Sequence, residues 1–149
     1  MKLTKNFSLT ELTKSYEAIR RGIDNTILTS KEVSNLRTLC VEVLQPIRDA
    51  LGTVTVNSGF RCLELNRAIK SKDSSQHRLG EAADIEVAGM SNYDLACWIR
   101  DNVEFDQLIL EFYDANIPSA GWVHVSFTDE GNRNQCLTID KKGTRLGLG

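Results

Sequence analysis

The segment SSQHRLGEAADIEV, residues 74–87, contains a histidine and an aspartate, His77 and Asp84, on either side of a glycine and two alanines. The chain has only one other histidine, His124. A lone histidine most often belongs to a surface loop, so His77 alone indicates no chemistry. Two imidazoles that converge with a carboxylate would instead provide two nitrogen ligands and one oxygen ligand, a set that suits Zn²⁺.

The strand patterns around these residues predict the direction of their side chains. In GWVHVSF, residues 121–127, alternation puts the two valines and the phenylalanine on an apolar face and His124 on the opposite one. In AADIEV, residues 82–87, Asp84 also falls on the polar face. If the two strands are neighbours and the loop that carries His77 folds over them, the three side chains converge. Three protein ligands leave a fourth tetrahedral position for water, as in catalytic zinc sites.

Capping signals and periodicity predict the elements that position these residues. Ser8 and Thr29 each begin a capping box, Ser91 caps a third helix, and CLELNRAIK is a short one. Pro46 should kink or interrupt the second helix, since it lacks the N–H donor. The predicted strands are TVTVNSGF, AADIEV, DQLILEF, WVHVSF and QCLTID, the last three joined by antiparallel connections. Helices first and strands later predict an α+β fold, with helices packed on one face of a mainly antiparallel sheet.

Length and composition predict one domain, residues 1–149, with a helical lead segment at 1–52 and a core that carries the site at 53–140. The formal net charge of -2 argues against nucleic acid as a partner. We expect no membrane span and no secretory signal, hence synthesis in the cytoplasm, and we expect a monomer. Isolated cysteines are predicted to be free thiols; they are Cys40, Cys62, Cys97 and Cys136.

Taken together, the motifs resemble the zinc D-Ala-D-Ala carboxypeptidase family. SSQHRLGEAADIEV contains S-x-H-x-x-G-x-A-x-D, NSGFR is similar to the SGxR element of that family, and WVHVSF is similar to its second-histidine strand. The family is grouped with lysostaphin-type peptidases and the hedgehog signalling domain, and it includes phage endolysins that cut peptidoglycan stem peptides. The opening NFSLTELTKSYEAIRRGIDN resembles the lead segment of a compact bacterial and prophage branch, so the resemblance covers most of the chain.

The resemblance implies a role for several residues. His77, Asp84 and His124 would bind zinc, and Arg61 would hold a substrate carboxylate. A guanidinium suits that task because it can donate two parallel hydrogen bonds and stays charged; the alternative for Arg61 is a solvated side chain at a helix start. Ser75 matches the serine of the motif, which contacts substrate or braces the loop; the alternative is a simple turn serine.

The sequence departs from the family at the catalytic base. Many relatives have a carboxylate three residues before the second histidine, where this chain has Gly121. Glu111 is our candidate for the base, because its strand should pair with the strand of His124 and a carboxylate among apolar strand residues is costly without a partner or a task. The alternatives are Glu81, Asp129 and Glu130.

The resemblance therefore implies a zinc metallopeptidase that hydrolyses a peptide bond in peptidoglycan stem peptides, either by trimming terminal D-Ala or by an endolysin-type internal cut. Such an enzyme would reach the wall after lysis or holin-type export. A zinc-bearing binding module, as in hedgehog, is the alternative that Gly121 keeps open. A structural domain without metal is the third reading.

Overall fold

The computed structural model describes residues 1–117 and 119–149. The α-helices are α1 Leu9–Thr13, α2 Tyr16–Arg21, α3 Ser30–Leu39, α4 Gln45–Leu51, α5 Leu63–Ala68, α6 Gln76–Leu79 and α7 Asn92–Asn102, and a π-helical turn, Cys40–Leu44, joins α3 to α4. The strands are β1 Val54–Ser58, β2 Ala82–Val87, β3 Gln107–Glu111, β4 Trp122–Ser126, β5 Gln135–Asp140 and β6 Gly143–Leu146.

Side-chain caps begin the helices where the sequence predicts them, but the first predicted helix is divided into two. Thr29 and Glu32 form the full capping box of α3, and Ser91 accepts a hydrogen bond from the third residue of α7. Ser8 caps α1, but that helix ends at Thr13 and a second cap, Ser15, starts α2. The first helical segment is therefore two short helices, since each serine hydroxyl satisfies its own free N–H groups.

Pro46 interrupts the second predicted helix without ending it. The N–H of Gln45 bonds to the carbonyl of Cys40, five residues back, and Pro46 follows inside the first turn of α4. Because proline has no N–H to donate, the α-helical ladder is broken at this point. A π turn absorbs the break, so the two helical halves continue into each other.

The strands form one sheet in the order β1-β2-β4-β3-β5-β6. Neighbours pair antiparallel except for β3 and β5, which are parallel. The sheet is thus mainly antiparallel, as predicted. The expectation that all of the last three predicted strands are joined antiparallel was wrong, since the chain passes from β4 over β3, and β5 pairs in parallel with the far edge of β3. The strand β6, which the sequence analysis did not predict, pairs with β5, and all four of its residues are exposed.

The two faces of the sheet have different tasks. One face packs with helices α3, α4 and α7 into the main hydrophobic cluster, whose members include Leu36, Leu39, Ile47, Leu95, Ile99, Ala83, Ile85, Leu108, Leu110, Val123 and Val125. This confirms the predicted packing of helices on one face. The opposite face carries Asp84, His124 and Glu111, because residues paired across antiparallel strands share a face.

Two further predictions concern single elements. All four cysteines are free thiols, as predicted, and burial raises the pKa of Cys40 to about 12. Within the part of the chain that the structure describes, no helix combines the length and apolar character that a membrane span needs.

Candidate active site

Strand register brings Asp84 and His124 together. The two residues are direct partners in the antiparallel pair of β2 and β4. The Nδ1 atom of His124 lies 3.1 Å from Oδ1 of Asp84. The sequence analysis made the convergence of these residues conditional on two neighbouring strands with a shared polar face, and the register meets that condition.

His77 reaches the same carboxylate from the one-turn helix α6, where a loop was expected. Ser75 caps this helix by accepting a hydrogen bond from the N–H of His77, and Gly80 ends it with a left-handed φ of 77°. A side chain at Gly80 would put its Cβ 2.7 Å from the carbonyl oxygen of Glu32. The glycine therefore lets α6 turn closely over α3 before the chain enters β2.

The imidazole of His77 has a fixed orientation. Its Nδ1 lies 2.7 Å from the carbonyl oxygen of Gly59, and its Nε2 lies 3.3 Å from Oδ1 of Asp84. A carbonyl oxygen only accepts hydrogen bonds, so Nδ1 carries the proton and the Nε2 lone pair points to Asp84. Metal-binding histidines are typically oriented through their other ring nitrogen in this way.

Electrostatics favour an ionised Asp84 beside a neutral His77. Burial lowers the pKa of His77, and this effect outweighs the attraction of the neighbouring carboxylate. Burial alone would raise the pKa of Asp84, but histidine N–H groups that face the carboxylate bring it below its usual range. A deprotonated carboxylate and a neutral imidazole are the forms that bind a metal ion.

The three side chains fit a metal ion by their donor chemistry. Each offers one ligand atom, and these atoms all lie within 4.8 Å of one another. Two imidazole nitrogens and one carboxylate oxygen are zinc ligands of the catalytic type. The hydrogen bond of His77 to Gly59 supplies the outer support that such sites use.

The cluster lies in a cavity of about 360 Å³. Its walls carry charged, polar and apolar side chains; they are Arg61, Ser71, Ser74, Ser75, Gln76, His77, Asp84, Gln107, Ile109, Glu111, Trp122, His124 and Arg133. The volume is at the lower end of the range for small-molecule sites. Every residue to which the sequence analysis assigned a metal, substrate or base role in its preferred reading is in this wall.

Arg61 is held against the cluster. Its Nε donates to Oγ of Ser58 at 3.1 Å, and its Nη2 lies 3.4 Å from Oδ2 of Asp84. Burial lowers the pKa of Arg61, but a guanidinium stays charged at any working pH. With 16% of its side chain exposed, the group is not the solvated arginine of the alternative reading. Ser75 lines the cavity as well, and its bond to the N–H of His77 fits the bracing role.

Glu111 faces the cavity from the strand beyond His124. It pairs with Trp122, whose indole Nε1–H donates to Oε2 of Glu111 at 3.0 Å. Burial raises the pKa of Glu111, and the negative charge of Asp84 adds to the rise. A carboxylate with a raised pKa inside a cleft has the properties expected of a general base.

Position 121 has no room for the carboxylate that the family resemblance leads us to expect there. Its φ is 72°, and an added Cβ would lie 2.0 Å from the carbonyl oxygen of Glu111 and 2.6 Å from the backbone of Phe112. The backbone of β3 thus occupies the space that a side chain at 121 would need. The carboxylate in this part of the cavity comes instead from Glu111.

The other carboxylates considered for the base lie outside the cavity wall. Glu81 accepts a hydrogen bond from Gln76, Asp129 pairs with Lys31 on the surface, and Glu130 is exposed. Of the four candidates, all within the described residues, Glu111 is the one that lines the cavity.

Sequence reasoning missed a polar network that includes two residues of the cavity wall, Gln76 and Arg133. The buried carboxylate of Asp106 accepts hydrogen bonds from Nε2 of Gln76 and from both the backbone and the guanidinium of Arg133. This ties α6 to the start of β3. Gln76 stands inside the recognised motif, next to His77, but the position of its partner depends on the tertiary fold.

The comparison with protein families agrees with the geometry. Residues 5–126 match the model of the family described as Peptidase M15. The match includes all three residues of the cluster as well as Arg61 and Glu111, and it supports a metallopeptidase. No curated protein matched the sequence.

Proposed function

Because the chain belongs to the Peptidase M15 family, we propose that it is a zinc-dependent peptidase that hydrolyses a peptide bond in peptidoglycan stem peptides. The observation that carries this proposal is the convergence of His77, Asp84 and His124 in one cavity with a buried arginine and a carboxylate of raised pKa. This is a set of metal ligands, an anion-binding group and a base within one small space.

The metal would be held by Nε2 of His77, a carboxylate oxygen of Asp84 and Nδ1 of His124. When bound there, zinc supplies a Lewis acid that polarises a carbonyl oxygen and lowers the pKa of water from 15.7 to about 7. The protein contributes the orientation of these ligands. The Nδ1–H bond to Gly59 keeps the Nε2 lone pair of His77 aimed at the cluster.

Glu111 would act as the base of the hydrolysis. Its carboxylate accepts the proton of the attacking water and then delivers it to the nitrogen of the leaving amine. Trp122 donates to Oε2 of Glu111, which leaves Oε1 free of that hydrogen bond. Burial keeps the pKa of Glu111 above its ordinary value. The side chain can therefore hold the proton between its removal from water and its delivery to the leaving amine.

Arg61 would orient the substrate by binding one of its carboxylates. Stem peptides are rich in carboxylates, and the cavity offers this cation beside the reacting groups. A bidentate contact fixes both position and angle of the bound group. Such positioning is a large part of what an active site contributes to rate.

The decisive experiment is a digestion of purified peptidoglycan with the products identified by mass. We expect loss of terminal D-Ala or a cut within the stem peptide, and no product with His124→Ala. Elemental analysis of the wild-type protein should give about one zinc per chain. Binding to peptidoglycan with zinc present but without any cleavage product would favour the binding-module reading. We further propose that the enzyme reaches the wall by holin-type export or by release on lysis.

A further inference from the structure

The segment that presents Arg61 has no regular structure of its own. Arg61 lies between the end of β1 and the start of α5. No ladder of strand or helix hydrogen bonds therefore fixes the direction of its Cα–Cβ bond. The backbone there must be held by contacts with other parts of the chain.

Asn25 provides such contacts on both sides of Arg61. Its Nδ2 donates to the carbonyl oxygen of Phe60 at 2.9 Å, and its Oδ1 accepts from the N–H of Cys62 at 2.7 Å. These two groups belong to the peptide planes directly before and after Arg61. Together with the bond that the N–H of Arg61 donates to the carbonyl oxygen of His77 at 3.0 Å, these contacts restrict the φ and ψ of Arg61. They thereby restrict the direction in which its side chain leaves the backbone.

The amide of Asn25 is itself anchored in the lead segment. The second proton of Nδ2 goes to the carbonyl oxygen of Thr13 at 2.8 Å, and 3% of Asn25 is exposed. Nearby, the N–H of Phe60 donates to the carbonyl oxygen of Leu12 at 2.8 Å. The segment around Arg61 is therefore clamped to α1 by an amide that is shielded from water.

We propose that Asn25 is a positioning residue that sets the direction of Arg61 for carboxylate binding. Aspartate could not do the same, because both Nδ2 partners are carbonyl oxygens and need a donor. Alanine would leave two carbonyls and one N–H without their partner. The inference rests on the proposed function, since it needs Arg61 to bind a carboxylate of the substrate.

The test compares a stem peptide that has free carboxylates with the same peptide amidated. The wild-type protein should prefer the free acid in kcat/KM, and Arg61→Lys should lose that preference while it keeps zinc. Asn25→Ala should lower the preference by about ten- to a hundredfold, the scale of a misplaced binding group. The loss should appear in KM for the acid, with the amide kinetics and the zinc content unchanged.

A matched control is Thr138→Val. The hydroxyl of Thr138 is also buried and also bonds to backbone groups, those of Gly147 and Gly149, but it lies on β5 outside the cavity wall. This variant should keep the acid preference even if it is equally destabilised. Asn25→Asp, which keeps the size and the acceptor, provides a second variant and should also lose the preference.

The outcomes separate the two hypotheses. If Arg61→Lys keeps the acid preference, the proposed role of Arg61 fails and the role of Asn25 fails with it. If Arg61→Lys loses the preference but Asn25→Ala keeps it, the positioning proposal alone is overturned. Failure of both Asn25 variants to fold would also overturn it, in favour of a purely structural role.

Discussion

At the scale of single residues, the site depends on which groups carry a proton. The bond from Nδ1 of His77 to Gly59 selects one tautomer and leaves Nε2 free toward Asp84. At Glu111, burial raises the pKa while the indole N–H of Trp122 lowers it, and the rise prevails. The same cavity thus favours an ionised aspartate and a glutamate that can exchange its proton.

Glu111→Gln should lower turnover of a stem peptide by about 10²–10⁴, the usual contribution of general acid–base catalysis. Glutamine keeps the shape and can still accept the bond from Trp122, but it cannot take a proton. Fold and zinc content should be unchanged, as measured by circular dichroism and elemental analysis. The control is Glu81→Gln, which removes a partly buried carboxylate outside the cavity wall and should retain turnover. Equal turnover in both variants would place the base elsewhere.

The pH dependence of turnover should reflect the ionisation of Glu111. The base works only when ionised, so turnover is present above its pKa and is lost as the pH falls through it. Burial raises that pKa above the ordinary value of a glutamate. The fall of kcat on the acidic side should therefore occur at a higher pH than an ordinary glutamate would give. Zinc content is measured at each pH, because protonation of the ligands releases metal. A limb that persists unchanged in Glu111→Gln would contradict the assignment.

At the scale of elements, the period of two along the strands made much of the site predictable. It places Asp84 and His124 on polar faces before anything is known about pairing. The exact partners could not be predicted, since register depends on how distant strands meet. The parallel pairing of β5 with β3 was missed for the same reason. The segment that connects β4 to β5 suits an antiparallel turn, but both edges of β4 are already paired, with β2 and with β3, so β5 cannot pair with β4.

Gly121→Ala should be more destabilising than Gly89→Ala. Both glycines have a left-handed backbone, with φ of 72° and 76°, so both variants bear the cost of about 1–2 kcal/mol for a Cβ in that region. At Gly121 the new Cβ also meets the carbonyl oxygen of Glu111 at 2.0 Å, whereas at Gly89 nothing lies within 4 Å. Urea unfolding measures the difference.

The same pair of variants separates effects on stability from effects on the site. Gly121→Ala should lower turnover even in the folded protein, because the backbone that must move belongs to Glu111. Gly89→Ala should retain turnover. Equal unfolding free energies for the two variants would show that β3 moves away from the added methyl group at little cost.

At the scale of the whole molecule, the fold assigns stability and chemistry to opposite faces of one sheet. The main hydrophobic cluster joins the helices to the strand residues that alternate with those of the site, such as Ile85, Val123 and Val125. The lead segment was predicted from its resemblance and its helices. Its contact with the site through Asn25 was not predicted, since a hydrogen bond between residues 25 and 60 leaves no local pattern in the sequence.

Zinc should therefore stabilise the folded chain without being needed for folding. An ion that binds the folded state alone adds about 2.7 kcal/mol at a concentration 100 times its Kd, so excess zinc should raise the thermal midpoint and a chelator should lower it. The chelated protein should still unfold cooperatively, because the main hydrophobic cluster includes none of His77, Asp84 and His124. This differs from zinc fingers, which are unfolded without metal.

The ligand variants make this prediction specific to the site. In His77→Ala and His124→Ala, zinc should no longer raise the thermal midpoint measured by calorimetry. Magnesium, which prefers an octahedral set of oxygen ligands, should have little effect on the wild-type protein because two of the three donors are imidazoles. Unfolding of the wild-type chain on chelation alone would show that the metal centre is part of the folding core. An unchanged midpoint with zinc in the wild-type protein would contradict binding at the cluster.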